Sequence, residues 1–160
     1  MTSANEAVSA VESRLKDLGI TLPEVAAPVA AYIPAVVSGN YVYTSGQLPF
    51  INGELPAKGK VGSDIDVDQA KEFAAICAVN ALAAVKSQIG DLDRISRIVK
   101  VVGFVASDPT FTGQPGVING ASELLGQVFG EAGAHARSAV GVAVLPLDAS
   151  VEVEIIAEFI

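Results

Sequence analysis

A chain of 160 residues, 51% of them hydrophobic and only 18% charged, is long enough to bury a core in one domain and richer in apolar residues than a small monomer needs. Its formal net charge of -8 repels phosphate backbones, and its 10 Lys and Arg residues form no cluster, which disfavours general nucleic-acid binding. A single cysteine, Cys77, excludes an intrachain disulfide, and one His with one Cys leaves no zinc ligand set.

The apolar excess implies either a membrane protein or a subunit that buries one face against copies of itself. The longest apolar stretches, Val25 to Val37 and Phe73 to Val85, fall short of the roughly 20 residues of a membrane span, and Pro28, Pro34 and Asn80 interrupt them. Self-association without a membrane is therefore expected. Met1 to Glu12 carries no basic region followed by an apolar core, so a cytoplasmic location is expected.

Residues 5 to 18 are predicted as an amphipathic helix, with Val8, Val11, Leu15 and Leu18 at spacings of three and four and Gly19 as its stop. Leu22 to Pro34 is broken by prolines and is expected to run extended over the surface. A hairpin follows: Ile33 to Val37, a turn at Ser38-Gly39-Asn40, then Tyr41 to Gly46. Residues 49 to 65 are rich in turns. Asp66 with Gln69 forms a capping box for a helix that stops at Gly90 and is apolar on nearly all sides, which predicts cover on more than one face. Ile95 to Val105 is the next strand. Pro115 opens a second helix carrying Ile118, Ala121, Leu125 and Val128 and ending at Gly130. Two strands close the chain, Arg137 to Leu145 and Val151 to Phe159, the last alternating Val, Val, Ile, Ala, Phe against Glu152, Glu154 and Glu158. The order β-β-α-β-α-β-β, with two helices over one sheet, is a two-layer α+β domain spanning residues 1 to 160.

Neither a Gly-x-Ser-x-Gly elbow nor a phosphate-binding glycine loop is present. What remains is a set of polar residues at element ends. His135-Ala136-Arg137-Ser138 opens a strand. An arginine there can hold a carboxylate through two parallel hydrogen bonds, which lysine cannot copy, or it can stand in a solvated surface ion pair. His135 beside it either tunes its field and titrates near neutral pH or is a turn histidine bonded to backbone. Glu152, Asn119 and Tyr32 read equally well as a solvent-facing strand carboxylate, a helix-turn polar residue and a packing aromatic.

Several segments together resemble the RidA/YjgF family, whose older label is L-PSP endoribonuclease. They are Ala31-Tyr-Ile-Pro34, Val42-Tyr-Thr-Ser-Gly-Gln-Leu-Pro49, Gly90-Asp-Leu-Asp-Arg-Ile95, Val101 to Val105, Val117-Ile-Asn-Gly120, Ala136-Arg-Ser-Ala-Val-Gly-Val-Ala-Val-Leu-Pro146 and Val151-Glu-Val-Glu-Ile-Ile-Ala157. The resemblance implies a chorismate-mutase-like fold with a mixed sheet on two helices, assembled as a homotrimer with ligand clefts between subunits. It implies hydrolysis of small 2-imino acids and their enamine tautomers to 2-oxo acids and ammonia, with no cofactor and no metal. By position, Arg137 matches the carboxylate-binding arginine and Glu152 the acidic residue that helps place the attacking water. Tyr32, Ser45 and Asn119 match residues that line the cleft, and His135 is placed among them. Arg137, kept for a ligand, is expected to have no obligatory partner in the empty molecule.

The chain departs from the short deaminases in an extension over residues 1 to 28, expected to cover the sheet edge or lid the cleft. His135 stands where those often have Pro, Ala139 where many have Cys, and Gly141 where many have Glu, and the stretch Gln114 to Gly120 is richer in Gly and Pro. The alternative to an enzyme is a non-catalytic homotrimer that binds small carboxylates or a protein partner at the same clefts. The charge argues against the endoribonuclease label.

Overall fold

The computed structural model describes residues 8–25 and 31–160. Two β-rich runs, β1 (Ala35–Ser38) and β2 (Tyr41–Thr44), pair antiparallel across a two-residue loop, with Gly39 supplying the positive φ of 59° that its first position demands. Further along come α2 (Val67–Ile89), β3 (Ile95–Ala106), α3 (Gln114–Phe129), β4 (Ala136–Val142) and β5 (Val151–Phe159), preceded in the chain by the short helix α1 (Ala10–Asp17). The five strands form one sheet in the order β1-β2-β5-β3-β4. All neighbours are antiparallel except β3 and β4, whose parallel pairing requires the crossover that α3 provides. The result is the mixed sheet under helices that the sequence predicts.

The strand bounds differ from the predicted ones where tertiary pairing sets them. β4 stops at Val142 rather than Leu145, because it is an edge strand and its only partner ends with the pair Ala106 and Val142. The first hairpin strand begins at Ala35, since β2 offers partners only from Thr44 back to Tyr41.

Helix α2 is the centre of the core. The Asp66 carboxylate accepts from the Gln69 backbone N–H at 2.8 Å, and Gly90, at φ 82°, ends it. By length and composition this helix could cross a membrane, although its contiguous apolar runs are short; here it is the inner helix of the core, with Ala74, Cys77, Ala78, Ala81, Leu82, Ala84 and Val85 fully buried. Its sides are covered by β5, by α3 and by the N-terminal segment, which accounts for an apolar pattern with no polar stripe. α3 crosses it closely at Gly120, where a Cβ would overlap the backbone carbonyl of Lys71. Cys77 lies between α2 and the sheet, its Sγ 3.8 Å from the Val151 carbonyl, and burial, followed by the charge of Glu152, pushes its thiol well above the ordinary range.

The N-terminal helix is shorter than predicted. It begins at Ala10, leaves Val8 81% exposed and buries only Val11 and Leu15 of the apolar stripe; residues 5–7 of the predicted helix lie outside the described residues, as do 26–30 of the extended run. The start is fixed from far away. Asp93 accepts from the backbone N–H groups of Ala10 and Val11 at 2.8 and 2.9 Å and from the Ser9 hydroxyl at 2.8 Å, while Ser9 caps Glu12. Glu12 also pairs with Lys86 of α2. The helical part of the extension thus packs on the helical side of the core, while Pro23, Glu24 and Val25 line a hollow with Gln47, Phe50 and Asn80.

The opposite face of the sheet has no helix over it among the described residues. Register places Val36, Tyr43 and Ile156 in one row across it, and Val140, Phe104 and Glu152 in another. Val36, Tyr43 and Val140 are exposed, so an apolar surface is left open.

Asp93→Ala removes the partner of two helix-start N–H groups and should cost about 1 kcal/mol by capping values. Hydrogen–deuterium exchange should show faster exchange confined to residues 10 to 18, with the amides of α2 and β5 unchanged.

Candidate active site

Arg137 enters β4 opposite Val101 of β3, on the sheet face that carries α3. Its Nη1 donates to Asn119 Oδ1 at 2.7 Å and to Ser122 Oγ at 3.2 Å, and Nη2 makes a long contact of 3.5 Å to the Pro115 carbonyl. Asn119 and Ser122 are three apart on α3 and therefore share a face. Although no obligatory partner is expected for this arginine, both hydrogens of Nη1 are committed to protein. Nε carries no hydrogen bond among the described residues, so the Nε and Nη2 edge remains as the fork a carboxylate would meet. Nearby, His135 bonds through Nδ1 to the Gly133 carbonyl at 2.6 Å and through Nε2 to Ser122 Oγ at 2.8 Å. His135 is bonded to backbone, as its turn-histidine reading expects, and one hydroxyl separates it from the arginine.

Glu152 lies elsewhere. On β5 the residues Val151, Val153, Ile155 and Ala157 are buried under the helices, so Glu152 and Glu154 project from the opposite face. Glu152 is half-buried, and burial first, then the nearby Glu154 charge, raises its carboxyl above the ordinary range. Gly46 is placed so that any Cβ would overlap the Glu152 carboxylate, which makes this glycine the floor on which the acid rests. The adjoining Ser45 donates its hydroxyl to the Ile33 carbonyl at 2.6 Å, while its backbone N–H donates to the Pro34 carbonyl at 2.8 Å. Its side-chain oxygen can therefore accept from a ligand while its proton is engaged. Tyr32, just before Ile33, is 53% exposed.

One chain thus forms two half-sites. Arg137, Asn119 and His135 stand together on the helix side, joined by Ser122, and Ser45, Gly46 and Glu152 stand together on the other side, with Tyr32 at their margin. Sequence reasoning missed Ser122 and Gly46. Ser122 was signalled only by its spacing of three from Asn119, and Gly46 only by its place in the Ser-Gly-Gln-Leu-Pro run.

Of the two departures on β4, Gly141 has a structural account. Ala139 and Gly141 follow Arg137 at alternate positions on the same face. A Cβ at Gly141 would come within 2.7 Å of Gln114 Nε2 and 3.2 Å of Ser107 Oγ. Gln114, at the start of α3, occupies that space and bonds the Phe111 carbonyl at 2.8 Å and Ser107 Oγ at 3.2 Å. A glycine at 141 and a glutamine at 114 are one steric unit.

A family model described as "YjgF/chorismate_mutase-like, putative endoribonuclease" matches residues 12–159. Protein TCP17 of Trypanosoma cruzi is 44% identical over 149 residues, 92% of this chain and 93% of that protein. A RutC family protein of Pasteurella multocida is 34% identical over 131 residues, 82% of this chain and 89% of its own length. Among solved structures, protein Atu1372 from Agrobacterium tumefaciens superposes with a TM-score of 0.89 at 51% identity, covering 94% of this chain and 93% of that one. E. coli TdcF with bound serine superposes with a TM-score of 0.60 at 30% identity, covering 84% and 93%. The chain belongs to the RidA/YjgF family.

Proposed function

We propose that this protein is a homotrimeric, cofactor-independent deaminase that hydrolyses small 2-imino acids and their enamine tautomers to 2-oxo acids and ammonia. The observation that carries this reading is the arrangement of Arg137. A guanidinium fixed at Nη1 and open along Nε and Nη2 is a preformed receptor for a planar carboxylate. A small-molecule ligand of this kind is compatible with the serine bound in TdcF.

The two half-sites and the open sheet face support self-association, and the family resemblance is what sets the number of copies at three. Arg137 and Glu152 lie on opposite faces of one sheet, so a substrate of a few carbon atoms meets both only if a second copy brings its Glu152 half-site to Arg137 of the first. The apolar surface at Val36, Tyr43, Phe104 and Val140 is the face such an assembly would cover. The chemistry needs little more. A protonated imine carbon is already electrophilic, so held water attacks C2 while Glu152 accepts its proton. The same proton moves to nitrogen, the C–N bond breaks as the remaining hydroxyl proton passes to the Glu152 carboxylate, and ammonia leaves with the carbonyl formed. A carboxyl raised by burial suits both halves of that exchange, which favours hydrolysis over carboxylate binding alone.

Light scattering at micromolar concentration should give about three times the 16.3 kDa chain mass; a monomer there would remove the shared site. In a coupled assay in which an amino-acid oxidase supplies the imine, Arg137→Ala should lower kcat/KM by at least about tenfold and up to a few hundredfold, and Arg137→Lys should recover only part, because hydrogen bonds to charged groups are worth roughly 1.5 to 3 kcal/mol each. Removing Arg137 also takes away the donor to Asn119 Oδ1 and one of the two bonds of Ser122, so a small drop in Tm should accompany the Ala variant.

Glu152→Gln should lower turnover by about a hundredfold or more. Its stability effect has the opposite sign. A carboxyl raised in the folded state stabilises the fold below its unfolded value, and that contribution is lost as pH rises through the folded value. The Gln variant should therefore melt above the parent at pH 7, with the difference closing near pH 4, around the unfolded value for glutamate of about 4.3. Equal melting curves at both pH values would show that Glu152 is solvated in the folded protein.

A further inference from the structure

With the His135 ring neutral, the proton positions around Ser122 follow from hydrogen-bond chemistry. The Gly133 carbonyl can only accept, so the 2.6 Å contact to His135 requires a hydrogen on Nδ1. In the neutral ring Nε2 is then bare. A group 2.8 Å from a bare ring nitrogen has to donate, so the Ser122 hydroxyl points its only proton at Nε2. That leaves the lone pairs of Ser122 Oγ to face Arg137 Nη1 at 3.2 Å, beside the 2.7 Å bond from Nη1 to Asn119 Oδ1.

We propose that Ser122 and His135 are positioning residues for Arg137: the imidazole fixes the serine proton, the serine oxygen then holds one Nη1 hydrogen, and with Asn119 holding the other the guanidinium plane is set. This inference rests on Arg137 as the carboxylate anchor. A guanidinium is planar, so fixing both hydrogens of Nη1 also fixes where Nε and Nη2 point. Without the imidazole the hydroxyl is free to rotate and can turn its proton toward the cation, which replaces an acceptor with a donor.

The frame around the chain is rigid enough to transmit this. Asn119 and Ser122 belong to a three-turn stretch of α3 whose inner side, Val117, Ile118, Ala121 and Leu125, is fully buried. Arg137 is locked in register with Val101 on the parallel edge of the sheet. His135 lies in the connection into β4, and Gly133, which receives its Nδ1 proton, is itself pressed against the Leu125 carbonyl, so that any Cβ there would overlap it. Helix and strand are thereby bridged by four polar side chains within bonding distance of one another.

The role separates from simple packing by the choice of substitution. Glutamine at 135 can place an acceptor near the position of Nε2, while asparagine reproduces only the Nδ1 side and loses Ser122. The probe is pyruvate, titrated calorimetrically into the full-length protein. We expect Ser122→Ala and His135→Asn each to weaken pyruvate binding about three- to tenfold, the range for one hydrogen bond, with His135→Gln within about twofold of the parent. In the double variant Ser122→Ala with His135→Asn, affinity should be no weaker than for Ser122→Ala alone, because the imidazole acts only through the hydroxyl. Should Ser122→Ala fail to fold, Ser122→Thr keeps the hydroxyl and should bind as the parent does. Equal affinities for the Asn and Gln variants, or additive losses in the double variant, would overturn the positioning role while Arg137→Ala still abolished binding. If Arg137→Ala itself bound pyruvate normally, the anchor would fail and this inference with it.

Discussion

Among the described residues the sheet is covered by helices on one side only, and the rest of the structure follows from that division. Along β5 the alternation of Val151, Val153, Ile155 and Ala157 with Glu152, Glu154 and Glu158 divides space into a packed half and an open half. The packed half takes α2 and α3, and α1 lies outside them. The open half retains apolar residues that a solvated strand surface does not need, together with carboxylates that a hydrophobic interface does not tolerate at its centre. A surface of that composition is suited to closing around polar ligands at its rim while burying its middle.

The same division explains how an arginine can be both held and available. Arg137 sits at the edge of the sheet, where β4 has a neighbour on one side only, so its side chain reaches α3 without being enclosed. Three protein oxygens lie along one end of the guanidinium. Such a group has already lost most of its rotamer freedom before a ligand arrives, and ordering a long side chain of this type costs up to about 2 kcal/mol. A ligand at this position would meet a side chain whose entropy of ordering was absorbed in folding.

How much of this was readable in the chain depends on how local each cause is. The cap at Asp66, the stop at Gly90 and the alternation of β5 are set by residues within a few positions, and the predicted elements match them closely. The end of β4 was not readable, because the length of its partner decides it. The start of α1 was not readable either: its N–H groups are satisfied by a carboxylate about 80 residues away, and no periodicity within residues 5 to 18 encodes that. At the site, the resemblance brought Arg137 and Asn119 to attention, and they do touch. Ser122 was invisible because a single serine on an apolar helix resembles any tolerated polar residue. The division of Arg137 and Glu152 between opposite faces also escaped, since each strand has its own parity and only pairing relates one strand to the next.

Cys77 carries a further consequence. Its sulfur is sealed between the central helix and the central strand, and its proton is held tightly by burial. A thiol reagent can reach it only when those two elements separate, and only the deprotonated sulfur reacts. The chain's single cysteine is thus a built-in chemical clock: the rate at which it is modified in the native protein measures how often the core opens, not how the surface moves.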